Sequence, residues 1–276
     1  MMAMATPETS YLLMLLAKMA LTMVIVVGSS MIVERTGPFI GGIIATLPIS
    51  AGPAYIFLAL DHDSAFIASA ALTTLTANAA TMIFVTVYAR LAQSHGLVRS
   101  LSTGWAVWGA IMAAFSFVPW TLPLALIVNS IAFIITFRAC KPYMNASKGA
   151  VLKRGRWDIP LRALAVVTLI GTVILLGNFA GPKAAGVAAP FPIVLSSLAM
   201  MLHPRLGGRV AAATLSNSLY GFAGFALSVV TLHVTAMPLG SAWALTLALM
   251  VSLLWNSVLI TRNYYKNRKR KFEGGE

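Results

Sequence analysis

Apolar stretches long enough to cross a bilayer recur along nearly the whole chain, from Tyr11 to Ile260, and no other feature limits the fold as severely. A spanning helix takes about 20 mostly apolar residues. Nine such stretches are read, at roughly 10–33, 38–60, 64–90, 98–118, 121–139, 160–178, 182–202, 208–233 and 238–261. Charged residues make up 10% of the chain and hydrophobic ones 59%. Soluble domains hold about 25% and about 45–50% respectively, so an ordinary soluble enzyme, a disordered chain and a secreted disulfide scaffold are excluded. The expected fold class is all-α, a polytopic membrane helix bundle of nine spans. Helix starts have local reasons. Thr9 or Ser10 caps the first, Asp158 caps the sixth ahead of Pro160, and Pro38 and Pro182 open helices where a missing N–H costs nothing.

The 20 Lys and Arg residues test the count. Nine alternating passes put Arg35, Arg90, Arg99, Arg138, Lys141, Arg162, Arg205, Arg209 and the basic tail from Arg262 to Lys271 on one side, with the charges of the 139–159 loop. Only Lys183 falls on the other side, and Lys18 lies within the first span. The positive-inside rule then predicts a plasma (inner) membrane protein with its N-terminus outside and its C-terminus cytoplasmic. The net charge of +13 is thereby read as orientation, with the lipid bilayer and no nucleic acid as partner. Trp105, Trp120, Trp157 and Trp243 fall near expected span ends, where amphipathic rings prefer the interface, and Trp255 lies deeper, as packing.

The chain also resembles itself. At a constant spacing of 144, Gly37-Pro38 matches Gly181-Pro182, Gly42 matches Gly186, Pro48-Ile49 matches Pro192-Ile193, and Lys18 stands opposite Arg162. Just downstream, at a spacing of 140, Thr74-Leu75-Thr76 resembles Thr214-Leu215-Ser216. The copies begin at spans one and six. Five spans is an odd number, so they point in opposite directions. The expected layout is a first four-span repeat over 1–120, a connecting span and basic loop over 121–159, a second four-span repeat over 160–262, and a basic tail over 263–276.

Spans two and seven carry internal prolines at corresponding places: Pro48 near Thr46 and Ser50, and Pro190 with Pro192 ahead of Ser196 and Ser197. Proline removes a helical hydrogen bond and clashes with a carbonyl one turn back. In lipid the freed groups find no water, so a break persists only against protein, a cavity or a solute. A single kink is usually packing. Two kinks in matching places point to a midplane site. Spans three and eight beside them carry Thr76, Asn78, Ser216 and Asn217 at helical spacing, with Asn129, Asn178 and Asn256 as weaker candidates. Each alone reads most simply as helix–helix glue; together they are expected to complete a polar site. Lys18 either snorkels to the outer interface or offers charge to an anion.

Deep carboxylates are absent: Asp61 and Asp63, with His62 between them, sit at a span end and read as a solvated turn. No phosphate loop, nucleophile elbow or metal-ligand motif occurs, so no enzyme activity is expected. No cofactor is expected either. A coupling ion is left open, since unwound carbonyls can hold sodium without a carboxylate. Cys140 is the one cysteine, so no internal disulfide exists, and on the reducing side it reads as a bystander.

In Gly37-Pro38, Pro48, Gly181-Pro182, Pro190 and Pro192 the architecture resembles inverted-repeat secondary transporters with discontinuous helices, such as the sodium/proton antiporter and bile-acid symporter folds. It departs from them in its four-span units and in lacking their buried acidic residues, so no functional residue is carried over. The resemblance implies a transporter of a small anionic or polar organic solute working by alternating access. The alternatives are a scaffold that binds a partner or lipid without transport, and a channel. The oligomeric state is left open.

Overall fold

A computed structural model describes residues 51–144, 158–188 and 191–273. They form eight helices and one 3-10 turn, with no strand among the described residues. The helices are α1 (Ala51–Asp61), α2 (Ser64–Leu91), α3 (Leu97–Phe115), α4 (Leu122–Cys140, continued by the turn Lys141–Tyr143), α5 (Asp158–Ala188), α6 (Ile193–Leu206), α7 (Gly208–Leu239) and α8 (Ser241–Glu273). The first expected span and the first half of the second lie outside the described residues.

Five segments are each long and apolar enough to cross a membrane: Ser64–Leu91, Leu122–Tyr143, Val167–Ala188, Gly208–Leu239 and Ser241–Tyr265. The described residues are therefore all-helical, with several helices long and apolar enough to span a bilayer. The side-chain pattern agrees. On α4 the buried positions are Ala125, Asn129, Ala132, Thr136 and Cys140, all small or polar, while Ile127, Ile131, Ile134 and Ile135 are exposed. In water that arrangement is inside out; in lipid it is stable, because small faces let helices approach and Ile meets acyl chains at no cost.

Local chemistry sets the boundaries. Asp63 caps α2 by accepting from the Phe66 N–H at 2.8 Å. Gly207 and Gly240, both near φ +80° and ψ +160°, end α6 and α7 in a backbone region open essentially to glycine alone. The eighth expected span, 208–233, is shorter than α7, which runs on to Leu239 until Gly240 leaves the helical region; His233 lies inside it, its Nδ1 2.8 Å from the Ala68 carbonyl oxygen. Pro238 accordingly belongs to the last turn of α7, and α8 begins at Ser241. The expected tail from 263 onward continues α8 as helix to Glu273.

The expected span over 182–202 is interrupted. Gly181 (φ 80°, ψ −174°) divides α5 into segments 158–180 and 182–188. The second segment ends at Ala188, the Phe191 N–H closes a short turn onto the Ala188 carbonyl at 3.0 Å, and α6 starts after Pro192. Pro192 has no N–H with which to continue a helix.

α2 and α7 are the central pair, and they run antiparallel. His233 meets Ala68, Asn78 meets Phe222, and Gly208 lies against Ala92. α3 packs on α2 and α6; α8 packs on α7 and α1; α4 touches both central helices. The apolar interior is in two parts. One gathers Leu58, Ile67, Leu75, Ile174 and Val229. The other gathers Phe84, Tyr88, Leu101, Leu198 and Leu215. Along α2 the division falls between Leu75 and Ala77, and along α7 between Phe222 and Phe225. Thr74, Thr76, Asn78 and Asn129 are buried at that level.

Candidate functional site

A cavity of about 590 Å³ lies where the first half of α2, the end of α3 and segment 182–188 meet. Small-molecule sites commonly measure about 300–1,000 Å³. Ser69, Leu72, Thr73 and Thr76 supply the α2 wall, and Val118 to Thr121 close one end. Trp120 is fixed there. Its indole N–H donates to the Phe115 carbonyl at 2.8 Å, and its ring meets Phe115 edge-on with centroids 4.8 Å apart. Lys183, Ala184 and Val187 line the side formed by segment 182–188. Lys183 is exposed and has no acidic partner among the described residues.

The hydroxyls of this lining are tethered but not used up. Thr76 donates to the Thr73 carbonyl (2.7 Å), Thr73 to the Ser69 carbonyl (3.3 Å), and Ser116 to the Ala113 carbonyl (2.7 Å). A hydroxyl that rotates away from such a helix carbonyl can donate to a solute, and its oxygen accepts meanwhile. A second cavity of about 380 Å³, between α1, α7 and α8, is walled by groups such as Phe225 and Leu245 and has no charged side chain in its lining.

The interrupted element is bound directly to the central helix. Thr74 on α2 donates to the Gly186 carbonyl at 3.0 Å. Its single proton is thus committed, so the Tyr55 hydroxyl, 2.7 Å away, donates to Thr74. α1, α2 and segment 182–188 converge on this one buried threonine. Gly186 permits the approach: a Cβ there would meet the Ala70 carbonyl oxygen and come within 2.7 Å of the Thr73 Cβ. Across the interruption, Ser196 donates to the Pro192 carbonyl at 2.6 Å and accepts from the Trp105 indole N–H at 2.9 Å. Trp105 therefore ties α3 to the first turn of α6, where an interfacial anchor was expected.

Of the sequence-nominated residues that are described, Thr76 alone lines the larger cavity. Asn78 is fully buried between three helices, its amide N–H group 3.4 Å from both the Asn129 Oδ1 and the Phe222 carbonyl. Asn129 in turn donates to the Leu75 carbonyl at 2.7 Å. Asn217 donates to the Met144 and Ala213 carbonyls at 3.1 and 2.8 Å, holding the turn after α4 against α7. Ser197 donates to the Val194 carbonyl at 2.8 Å. Ser196, Ser197 and Asn217 therefore bind backbone near the interruption or the helix ends. Asn78 Oδ1 is buried without a partner among the described residues, and the Ser216 hydroxyl is buried beside the Cys140 thiol. Pro192 is the residue before α6. Lys18, Thr46, Pro48, Ser50 and Pro190 lie outside the described residues.

Sequence reasoning did not single out Thr73, Ser116, Lys183 or Tyr55 as site residues. For Lys183 a signal was present: in the expected nine-span topology it is the one positive charge on the side otherwise kept clear of them. Tyr55 and Ser116 carried none: packing of separate elements alone brings Ser116 to the cavity and the Tyr55 hydroxyl to Thr74.

No family model matches the chain, and neither does a curated protein or a solved structure.

Proposed function

We propose that this protein is a secondary transporter of a small anionic or polar organic solute, built from two inverted four-span repeats around a connecting span and working by alternating access. The observation that carries the reading is the interrupted element at 182–206, hydrogen-bonded to the central helix at Thr74 and lined along one side by a solute-sized cavity. An interruption of this kind is stable in lipid only against protein or a polar cavity, and transporter sites sit at such breaks.

Several observations support the repeat. α2 and α7 begin 144 residues apart, at Ser64 and Gly208, and so do α3 and α8, at Leu97 and Ser241. That is the spacing of the Gly-Pro pairs. The central helices cross antiparallel at Asn78 and Phe222, themselves 144 apart. This is where an axis in the membrane plane would relate the copies. Packing follows the same exchange: α3 of one unit lies on α6 of the other, and α8 on α1. The two-part core, divided at Thr76 and Asn78, suits halves that rock about mid-depth.

The helix ends bearing Arg90, Arg138, Lys141, Arg205 and Arg209 share one end of the bundle, opposite Lys183. The positive-inside rule makes the crowded end cytoplasmic in this reading, with the cavity at the outer face.

Thiol accessibility tests the function. In a Cys140→Ala background, single cysteines at Thr73, Thr76 and Val187 should react in membranes with a water-borne maleimide added outside, while one at Ala199 should not. A scaffold with a dry centre would leave all four unreactive, and a channel would admit reagent equally from both sides.

A further inference from the structure

We propose that the cavity beside α2 is a carboxylate site, taking a small organic monoanion with a compact apolar body, and that Lys183 is its charge partner. This rests on the transporter reading and names the solute class of the same site.

Charge is the first argument. Lys183 is the one charged side chain in the lining, and no Asp or Glu accompanies it. Asp63, at the same end of α2, is engaged as the cap on the Phe66 N–H and is not part of the lining. A cation without a counter-charge among the described residues, at the edge of an apolar-walled cavity, attracts an anion more strongly than it would in bulk water. Placement is the second argument. In the nine-span reading, eighteen of the 20 Lys and Arg residues fall on the opposite side and Lys18 within a span; among the described residues, the helix ends bearing Arg90, Arg138, Lys141, Arg205 and Arg209 lie at the other end of the bundle. A lysine here opposes the orientation signal of the rest of the chain, so membrane insertion gives no reason for it.

The remaining lining sets the body of the ligand. Met112, Phe115, Trp120 and Val187 offer apolar and aromatic surface. Thr73, Thr76 and Ser116 each hold one rotatable hydroxyl proton that now points to a helix carbonyl, and that carbonyl is also the acceptor site of the helix ladder. Those protons can turn to the second carboxylate oxygen or to a hydroxyl on the solute. One cation and a largely apolar wall fit one negative charge; a dianion would find no cation in the lining for its second charge.

The test uses the full chain in nanodiscs of zwitterionic lipid, with benzoate and hexanoate as probes and benzamide and hexanamide as uncharged matches. Binding is followed by tryptophan fluorescence and thermal shift. Both carboxylates should bind at least tenfold more tightly than their amides. Lys183→Gln should remove that preference without lowering the ligand-free unfolding temperature, and Lys183→Arg should retain it. Equal affinity for acid and amide, or a preference that survives Lys183→Gln, overturns the proposal. Loss of benzoate binding when phosphatidylglycerol is added would show that Lys183 holds a lipid headgroup, and also overturns it. Should neither acid bind while a Thr76→Cys thiol still reacts from the cavity side, the solute class fails and the transporter reading stands. An unreactive thiol removes that reading as well.

Discussion

The Thr74 hydroxyl on α2 donates to the Gly186 carbonyl of segment 182–188 across 3.0 Å, although 112 residues separate them. It is a bond between the central helix and the interrupted element, and it also receives the Tyr55 hydroxyl. Replacing Thr74 by Val keeps the shape and leaves a buried phenol and a carbonyl without their partner. An unpaired buried group costs about 1–3 kcal/mol. Thr74→Val is therefore expected to lower stability in detergent by about that amount, and Thr74→Ser to restore most of it. Thermal unfolding of the two variants checks this; an unchanged Thr74→Val midpoint would mean the bridge contributes nothing.

The same contact predicts opposite outcomes for two glycines. A Cβ at Gly186 would press on the Ala70 backbone and on Thr73, neither of which can swing away. Gly109, in the middle of α3, has nothing within 4 Å of such a Cβ. Gly186→Ala should push the segment off α2 and destabilise the fold by about 1–3 kcal/mol, as overpacking does. Gly109→Ala should be neutral or stabilise by up to about 1 kcal/mol through helix propensity. Denaturation midpoints that rank the two variants the other way would reject this account of the close approach.

Much of this architecture was legible before any coordinates. The starts of α2, α3, α4 and α7 fall within a residue or two of the expected ones, because apolar length and Gly or Pro punctuation are local properties. The interruption after Ala188 was legible for the same reason, in Pro190 and Pro192. The site was much less so. Small-plus-polar stripes mark where helices meet, but not whether a given Asn meets a cavity, another amide or a backbone carbonyl. Asn78 and Asn217 hold helices together, while Thr73 on α2 and Ser116 at the end of α3 line the cavity. Nothing in the residue types separates these cases. The difference comes from which third element packs alongside. The expected bound at 233 falls six residues short of the end of α7 at Leu239, where Gly240 closes the helix.

Asn78 and Asn129 form the polar link between α2 and α4 at mid-depth, with Phe222 of α7 as the second acceptor. At 3.4 Å both Asn78 contacts are long, whereas the Asn129 bond to the Leu75 carbonyl is 2.7 Å. Hydrogen bonds between membrane helices average about 0.6 kcal/mol in double-mutant cycles. Asn129→Leu is therefore expected to cost more than Asn78→Leu, and their coupling energy to stay below about 1 kcal/mol. A double-mutant cycle on unfolding free energies measures all three quantities. A coupling of several kcal/mol would make this pair a central lock, contrary to its geometry.

At the end of the bundle away from Lys183, the Tyr88 hydroxyl meets His203 Nδ1 at 2.9 Å, and the two rings sit edge to face with centroids 6.1 Å apart. The contact joins the end of α2 to the end of α6, the half-helix after the interruption. If the two ends open alternately, this bond belongs to the state in which the Lys183 end is open, and it breaks when α6 moves away. Tyr88→Phe removes the bond and keeps the ring. Losing about 1 kcal/mol from one of two comparably populated states shifts their ratio about fivefold. A cysteine at Thr76, in the Cys140→Ala background, should then react more slowly with maleimide added from the Lys183 side, by up to about fivefold. His203→Ala should act in the same direction, and the double variant should add little, since either change alone breaks the bond. Labelling that keeps its rate in both single variants would show that Tyr88 and His203 do not hold that end closed.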